Sequence, residues 1–247
     1  IVKFVCWFIK EPEKAKDEQN FTLKYISSGR LGTPSLSLDQ AFNEIINFEA
    51  NAHEGFSFVK LAVNETDPDQ FEIYRTKLVE YEEITDKFEY EIAAFLNGIT
   101  TQELSAEEGE EVKVIYRVIG ELESLGDSCE NISRLLARLR AHKQEFDEDA
   151  IANLNLMIGK IEAAFQVMEA NLSQAKDGKL VNIDNAYNAE NDINNLRNAL
   201  REEGIQQIEK QEGHYQAINY FLDLVAELEA MGDFMINISQ AVVRNNE

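Results

Sequence analysis

Glu123 and Asp127 are four residues apart, and so are Glu229 and Asp233. On a helix that spacing stacks the two carboxylates on one face, where like charges cost roughly 0.2–0.5 kcal/mol. A divalent or trivalent cation reverses the sign, because hard cations take carboxylate oxygens as ligands. With 46 Asp and Glu in 247 residues, a single pair of this kind means little. These two, however, sit inside a repeated string. Residues 121–133 read ELESLGDSCENIS and residues 227–239 read ELEAMGDFMINIS, with eight of thirteen positions identical at a constant offset of 106. Gly126 and Gly232 directly precede the two Asp residues. A mid-helix glycine costs up to about 1 kcal/mol relative to alanine. It therefore needs a reason: room for a metal cluster, or the close approach of a neighbouring helix.

Partner acids lie upstream of each string. Glu82 and Asp86 are again four apart, and in an antiparallel three-helix unit they would face Glu123 and Asp127. Four carboxylates converging without a cation push pKa values upward. The corresponding stretch of the second half is Glu190-Asn191-Asp192-Ile193-Asn194. There Glu190 and Asn194 keep the spacing, with an amide oxygen in place of one carboxylate. The constant offset of 106 would instead align Asp86 with Asp192, so the register is ambiguous by two residues. His53, His142 and His214 are scattered, and none follows a Glu by three residues. The Glu-x-x-His motif of ferritin-like di-iron proteins is thus absent, and the three read as surface histidines. Cys129 reads as a buried small hydrophobe, and Tyr81, Phe88 and Phe95 as core. There is no phosphate-cradling glycine loop and no nucleophile elbow.

The elements that must position these acids are helices. No proline follows Pro68, and proline is the strongest helix breaker. Leu38, Ala41, Phe42, Ile45, Phe48, Ala52, Phe56 and Val59 predict a helix from about Ser37 to Asn64. Asp67 before Pro68 marks the next start, and Phe71 to Phe95 keep steps of three and four until Gly98 ends the run. Ser105 with Glu108 predicts a capping box for the third helix. Asp147 or Asp149 caps a fourth, Lys176-Asp177-Gly178 is a turn, a fifth runs from about Leu180 to Lys210, and after Gly213 a sixth reaches about Val243. The expected architecture is all-α: two tandem three-helix bundles of long antiparallel helices, with units at 37–144 and 145–247. Residues 10–35 read as a polar linker.

Composition narrows the partners. A net charge of −23 should repel nucleic acid and anionic lipid, which leaves cations. Two cysteines, Cys6 and Cys129, give no disulfide framework and suit a reducing compartment. Residues 1–9 (IVKFVCWFI) are apolar but shorter than the roughly 20 residues of a membrane span. They read either as a buried N-terminal element or as the last turns of a membrane helix.

The string E-L-E-x-hydrophobic-G-D followed by N-I resembles the signature of the PhoU family, over roughly residues 37–245. That family is built from two three-helix units whose E(D)xxxD pairs bind metal clusters. Residues 25–41 (YISSGRLGTPSLSLDQA) and 190–200 (ENDINNLRNAL) resemble the cytoplasmic, PhoU-like C-terminal region of bacterial sodium/phosphate cotransporter proteins. The resemblance implies a non-enzymatic regulator of phosphate uptake on the cytoplasmic face of the plasma membrane. Its partners would be the membrane-transporter domain of the same polypeptide, inorganic phosphate and a second copy of the chain. It also implies one metal site at Glu82, Asp86, Glu123 and Asp127 and another at Glu190, Asn194, Glu229 and Asp233, for Fe, Zn, Mn or Mg ions, singly or as multinuclear clusters. Two rivals stand beside it: a metal-free helical adaptor, and a carboxylate-bridged metalloenzyme, which needs histidine ligands or an open redox site in the bundle, where the sequence offers no such histidine.

Overall fold

The computed structural model describes residues 21, 23–26, 32–209 and 215–243. The apolar segment 1–9, most of the linker, and Cys6, Gly213 and His214 lie outside the described residues. Among those described, every regular element is a helix: α1 (Pro34–Asn64), α2 (Pro68–Ile99), α3 (Ala106–Ala141), α4 (Glu148–Lys176), α5 (Ile183–Glu209) and α6 (Tyr215–Ala241). None is long and apolar enough to cross a membrane.

The starts follow the local chemistry. Asp67 accepts from the backbone N–H of Asp69 and Gln70, with Pro68 at the first helical position. Ser105 and Glu108 form both halves of the capping box. Of the two candidate caps for α4, Asp147 takes the role by accepting from the Ala150 N–H. Three boundaries differ from expectation. α1 begins at Pro34 rather than Ser37, because proline needs no N–H partner in the first turn. Gly98 does not stop α2, which continues to Ile99 and is closed by the Thr100 N–H. α5 begins at Ile183, not Leu180, which stays exposed after the turn at Gly178, whose φ of +67° suits glycine.

α1, α2 and α3 pack on one another, as do α4, α5 and α6, and the triplets meet along α3/α6 and α1/α4. One connected apolar core runs through both. Phe48 of α1 and Phe88 of α2 stack at 4.9 Å between centroids, both buried. Burial of such a side chain contributes about 1.5–3 kcal/mol. Tyr81 and Cys129 join this core as expected, with the Cys129 thiol pushed up to about 12 by burial, and Phe95 packs at its edge.

Two polar devices hold the assembly. Glu44 of α1, fully buried, accepts backbone N–H groups from Lys24, Tyr25 and Ile26 at 3.0, 2.7 and 3.3 Å, plus the Asn47 amide at 2.7 Å. This clamp ties residues 24–26 to the first helix. Across α3/α6, Asn237 donates to Glu121 at 3.2 Å, while Glu227 accepts from Asn131 and Ser128. Glu121 and Glu227 are equivalent in the repeated string, as are Asn131 and Asn237. The contact is therefore reciprocal.

Candidate metal centre

α2 and α3 run antiparallel, so the acids of one meet those of the other in reverse order. Carboxylate oxygens of Glu82, Asp86 and Asp127 all lie within 4.8 Å of one another. Glu123 stands beside Asp127 on the same face. Burial pushes its carboxyl up to about 7, helped by the negative charges of Asp127, Glu89 and Asp86. Burial likewise raises Glu82, with Asp86, Glu130 and Asp127 adding to the shift. Asp127 is raised by burial and then by Asp86 and Glu130. The four expected residues are thus brought together in one cluster.

The cluster is larger than the spacing of four suggested. Glu89 follows Asp86 by three residues on α2, and Glu130 follows Asp127 by three on α3. Both couple to the central acids. The result is a ladder of six carboxylates on two helices, with Arg134 paired to the outermost acid, Glu130. The signal was in the sequence, because i+7 continues the face defined by i and i+4.

The repeat glycines explain how the helices approach. A Cβ on Gly126 would stand 2.1 Å from Thr85 Oγ1, and one on Gly232 would stand 3.0 Å from Ile193 Cδ1. In both cases the missing side chain admits a residue of the opposing helix. Close packing, and not space for a cluster, is the observed use. The same contacts settle the register. Thr85 and Ile193 are equivalent and 108 residues apart, so Asp86 corresponds to Asn194 and Glu82 to Glu190. Asp192 points elsewhere, to Lys160 of α4 at 3.0 Å.

The second ladder is rebuilt around an internal cation. Position 89 has its counterpart in Arg197, whose guanidinium pairs with Glu229 and reaches Asn194 Oδ1 at 3.4 Å. Asn194 donates to Glu190 at 2.6 Å. The counterpart of Glu130 is Ile236, which is buried. Asp233 is raised by burial, Glu229 and Glu190, but Arg197 opposes the shift. Glu190, Asn194, Glu229 and Asp233 are therefore gathered as expected, with a basic side chain among them that the sequence reading did not include. His53 also departs from expectation. It is not a surface histidine: its ring stacks on Phe165 of α4 at 4.5 Å, nearly parallel, and Nε2 lies 2.9 Å from Glu162.

Among solved structures, PhoU from Pseudomonas aeruginosa superposes on this chain with a TM-score of 0.72, covering 84% of this chain and 96% of that one at 12% identity. The fold is PhoU-like. No family model matches the chain, and no curated protein does. At that identity the likeness to PhoU concerns the helix arrangement, and the chemistry rests on this chain's own side chains. Oxygen-only donors, three of them converging and several held above the ordinary carboxylate range, fit a hard cation at the first ladder. The second ladder, with Arg197 in place, offers three carboxylates instead of six.

Proposed function

We propose that the chain is a non-enzymatic, metal-dependent regulatory module that modulates phosphate uptake as the cytoplasmic portion of a sodium-dependent phosphate transporter. The observation that carries the metal half is the six-carboxylate ladder of α2 and α3. It concentrates negative charge in a half-buried place with one arginine at its edge. Glu82, Asp86, Glu123 and Asp127 would hold the ion, with Glu89 and Glu130 flanking. A bound Fe, Zn, Mn or Mg ion would supply positive charge that joins α2 to α3 and leaves positions open to a phosphate oxygen or a partner's carboxylate. The PhoU-like fold supports the regulatory half, together with the resemblance of residues 25–41 to the segment that follows the last membrane helix in sodium/phosphate cotransporter proteins.

Elemental analysis of protein purified without chelators tests the metal half. We expect bound metal in the wild-type chain and a lower metal content in Asp86→Asn/Asp127→Asn. Equal metal content in both would sink it. The coding sequence upstream of Ile1 tests the transporter half, where several consecutive apolar spans are expected. In cells carrying that transporter, the same double substitution should change phosphate uptake without changing the amount of protein. The arrangement also weighs against a carboxylate-bridged metalloenzyme, since the six residues of the first ladder include no histidine.

A further inference from the structure

A different group of donors lies where the triplets meet along α1 and α4. These helices run antiparallel: Asn64 bonds Asn155, His53 bonds Glu162, and Glu49 faces Glu169. A carboxylate oxygen of Glu49, a ring nitrogen of His53 and a carboxylate oxygen of Glu169 all lie within 4.8 Å of one another. Glu49 is 3% exposed, and its Oε1 has no hydrogen-bond partner. A buried carboxylate oxygen left unmatched is costly and calls for an explanation. The repeated acidic string contributes nothing here.

We propose that Glu49, His53 and Glu169 form a binding site for a first-row divalent transition ion, with Zn2+ as the type case, that fastens α1 to α4. Three features argue for this class of ligand. The donor set mixes one imidazole nitrogen with two carboxylates, which suits Zn2+ and its neighbours better than Mg2+. Glu162 Oε1 lies 2.9 Å from His53 Nε2, placed to accept that ring N–H. That fixes the tautomer in which Nδ1 holds the lone pair, the outer-sphere arrangement common for metal-bound histidine. The Phe165 ring, stacked on the imidazole, holds its plane. Ligand atoms around a tetrahedral Zn2+ sit about 3.3 Å apart, so side-chain rotations of roughly an ångström close the shell, with water as the fourth ligand. The alternative occupant is a proton. Burial and the charge of Glu169 push the Glu49 carboxyl up to about 7, so proton and metal compete near neutrality.

The test uses the whole chain, stripped with chelator and titrated with ZnCl2, reading thermal unfolding and calorimetric heat. Because the carboxylates of the α2/α3 ladder are also zinc donors, the reference protein is Asp86→Asn/Asp127→Asn. In that background Zn2+ should still raise the unfolding temperature, Mg2+ should not, and His53→Gln should abolish the Zn2+ increment. Glu49→Gln should raise the stability of the metal-free chain and weaken Zn2+ binding at least tenfold. His142→Gln is the control and should change neither. A Zn2+ increment that survives both His53→Gln and Glu49→Gln, or none in the reference protein, overturns the proposal and leaves Glu49 as a protonated core acid. Failure of the ladder to bind metal would not touch this result, since the reference protein already lacks that site.

Discussion

Glu123 links burial to pH. Its carboxyl is raised from an ordinary 4.5 to about 7, by burial first and then by Asp127, Glu89 and Asp86. A raised folded-state pKa means that the fold binds the proton more tightly than the unfolded chain does. The stabilisation is complete below the unfolded value of 4.5 and is lost as pH rises through about 7. In chelator, Glu123→Gln should therefore leave urea stability near pH 5 unchanged and raise it near pH 8. Equal stability of the two proteins at both pH values would contradict the assignment. Gly126 gives a second measure. Gly126→Ala drives a methyl into Thr85, whose Oγ1 would be 2.1 Å away, and should cost about 1–3 kcal/mol in urea unfolding. Gly232→Ala meets Ile193 less closely, at 3.0 Å from Cδ1 and 3.3 Å from Cγ2, and should cost less. The paired acids were legible in sequence because helical spacing dictates which residues share a face. Arg197 carries no signal in a pattern of ligands, because it replaces one. The stacking of His53 depends on Phe165 of another helix, and no local pattern carries that.

At the scale of the helix, α5 reads as a ladder strand with its acids replaced. Asn194→Asp with Arg197→Glu restores the carboxylates that α2 has at the equivalent positions. The variant should gain a Mg2+-dependent rise in unfolding temperature that the wild-type second ladder lacks, read in an Asp86→Asn/Asp127→Asn background. The register needed for this design came from the Thr85/Gly126 and Ile193/Gly232 contacts. The sequence alone left two alignments open, because the offset differs between the helices: 106 for α3 to α6 and 108 for α2 to α5. Helix starts were readable wherever a cap side chain marks them, as at Asp67 and Ser105. They slipped at α1 and α5, where the turn geometry of the preceding residues decides. The clamp on α1 was invisible in sequence, since Glu44 looks like any acid on a solvated face. Glu44→Ala strands three backbone N–H groups and should cost roughly 1–3 kcal/mol, with helix content by circular dichroism unchanged.

For the whole molecule, the repeated string has two duties. Glu121 and Asn131, with their equivalents Glu227 and Asn237, join α3 to α6 reciprocally. Glu123 and Asp127 face α2, and Glu229 and Asp233 face α5. The duplication therefore supplies both a ladder in each triplet and the seam between triplets, which is why polar identities persist through the string. The two ladders have diverged, one keeping six carboxylates and the other enclosing Arg197. Calorimetric titration of the chelator-stripped chain with Mg2+, an ion that the α1/α4 donors do not favour, measures this asymmetry. Mg2+ binding should be removed by Asp86→Asn/Asp127→Asn and left intact by Asn194→Ala/Asp233→Asn. Binding that survives the first pair of substitutions and disappears with the second would contradict the asymmetry.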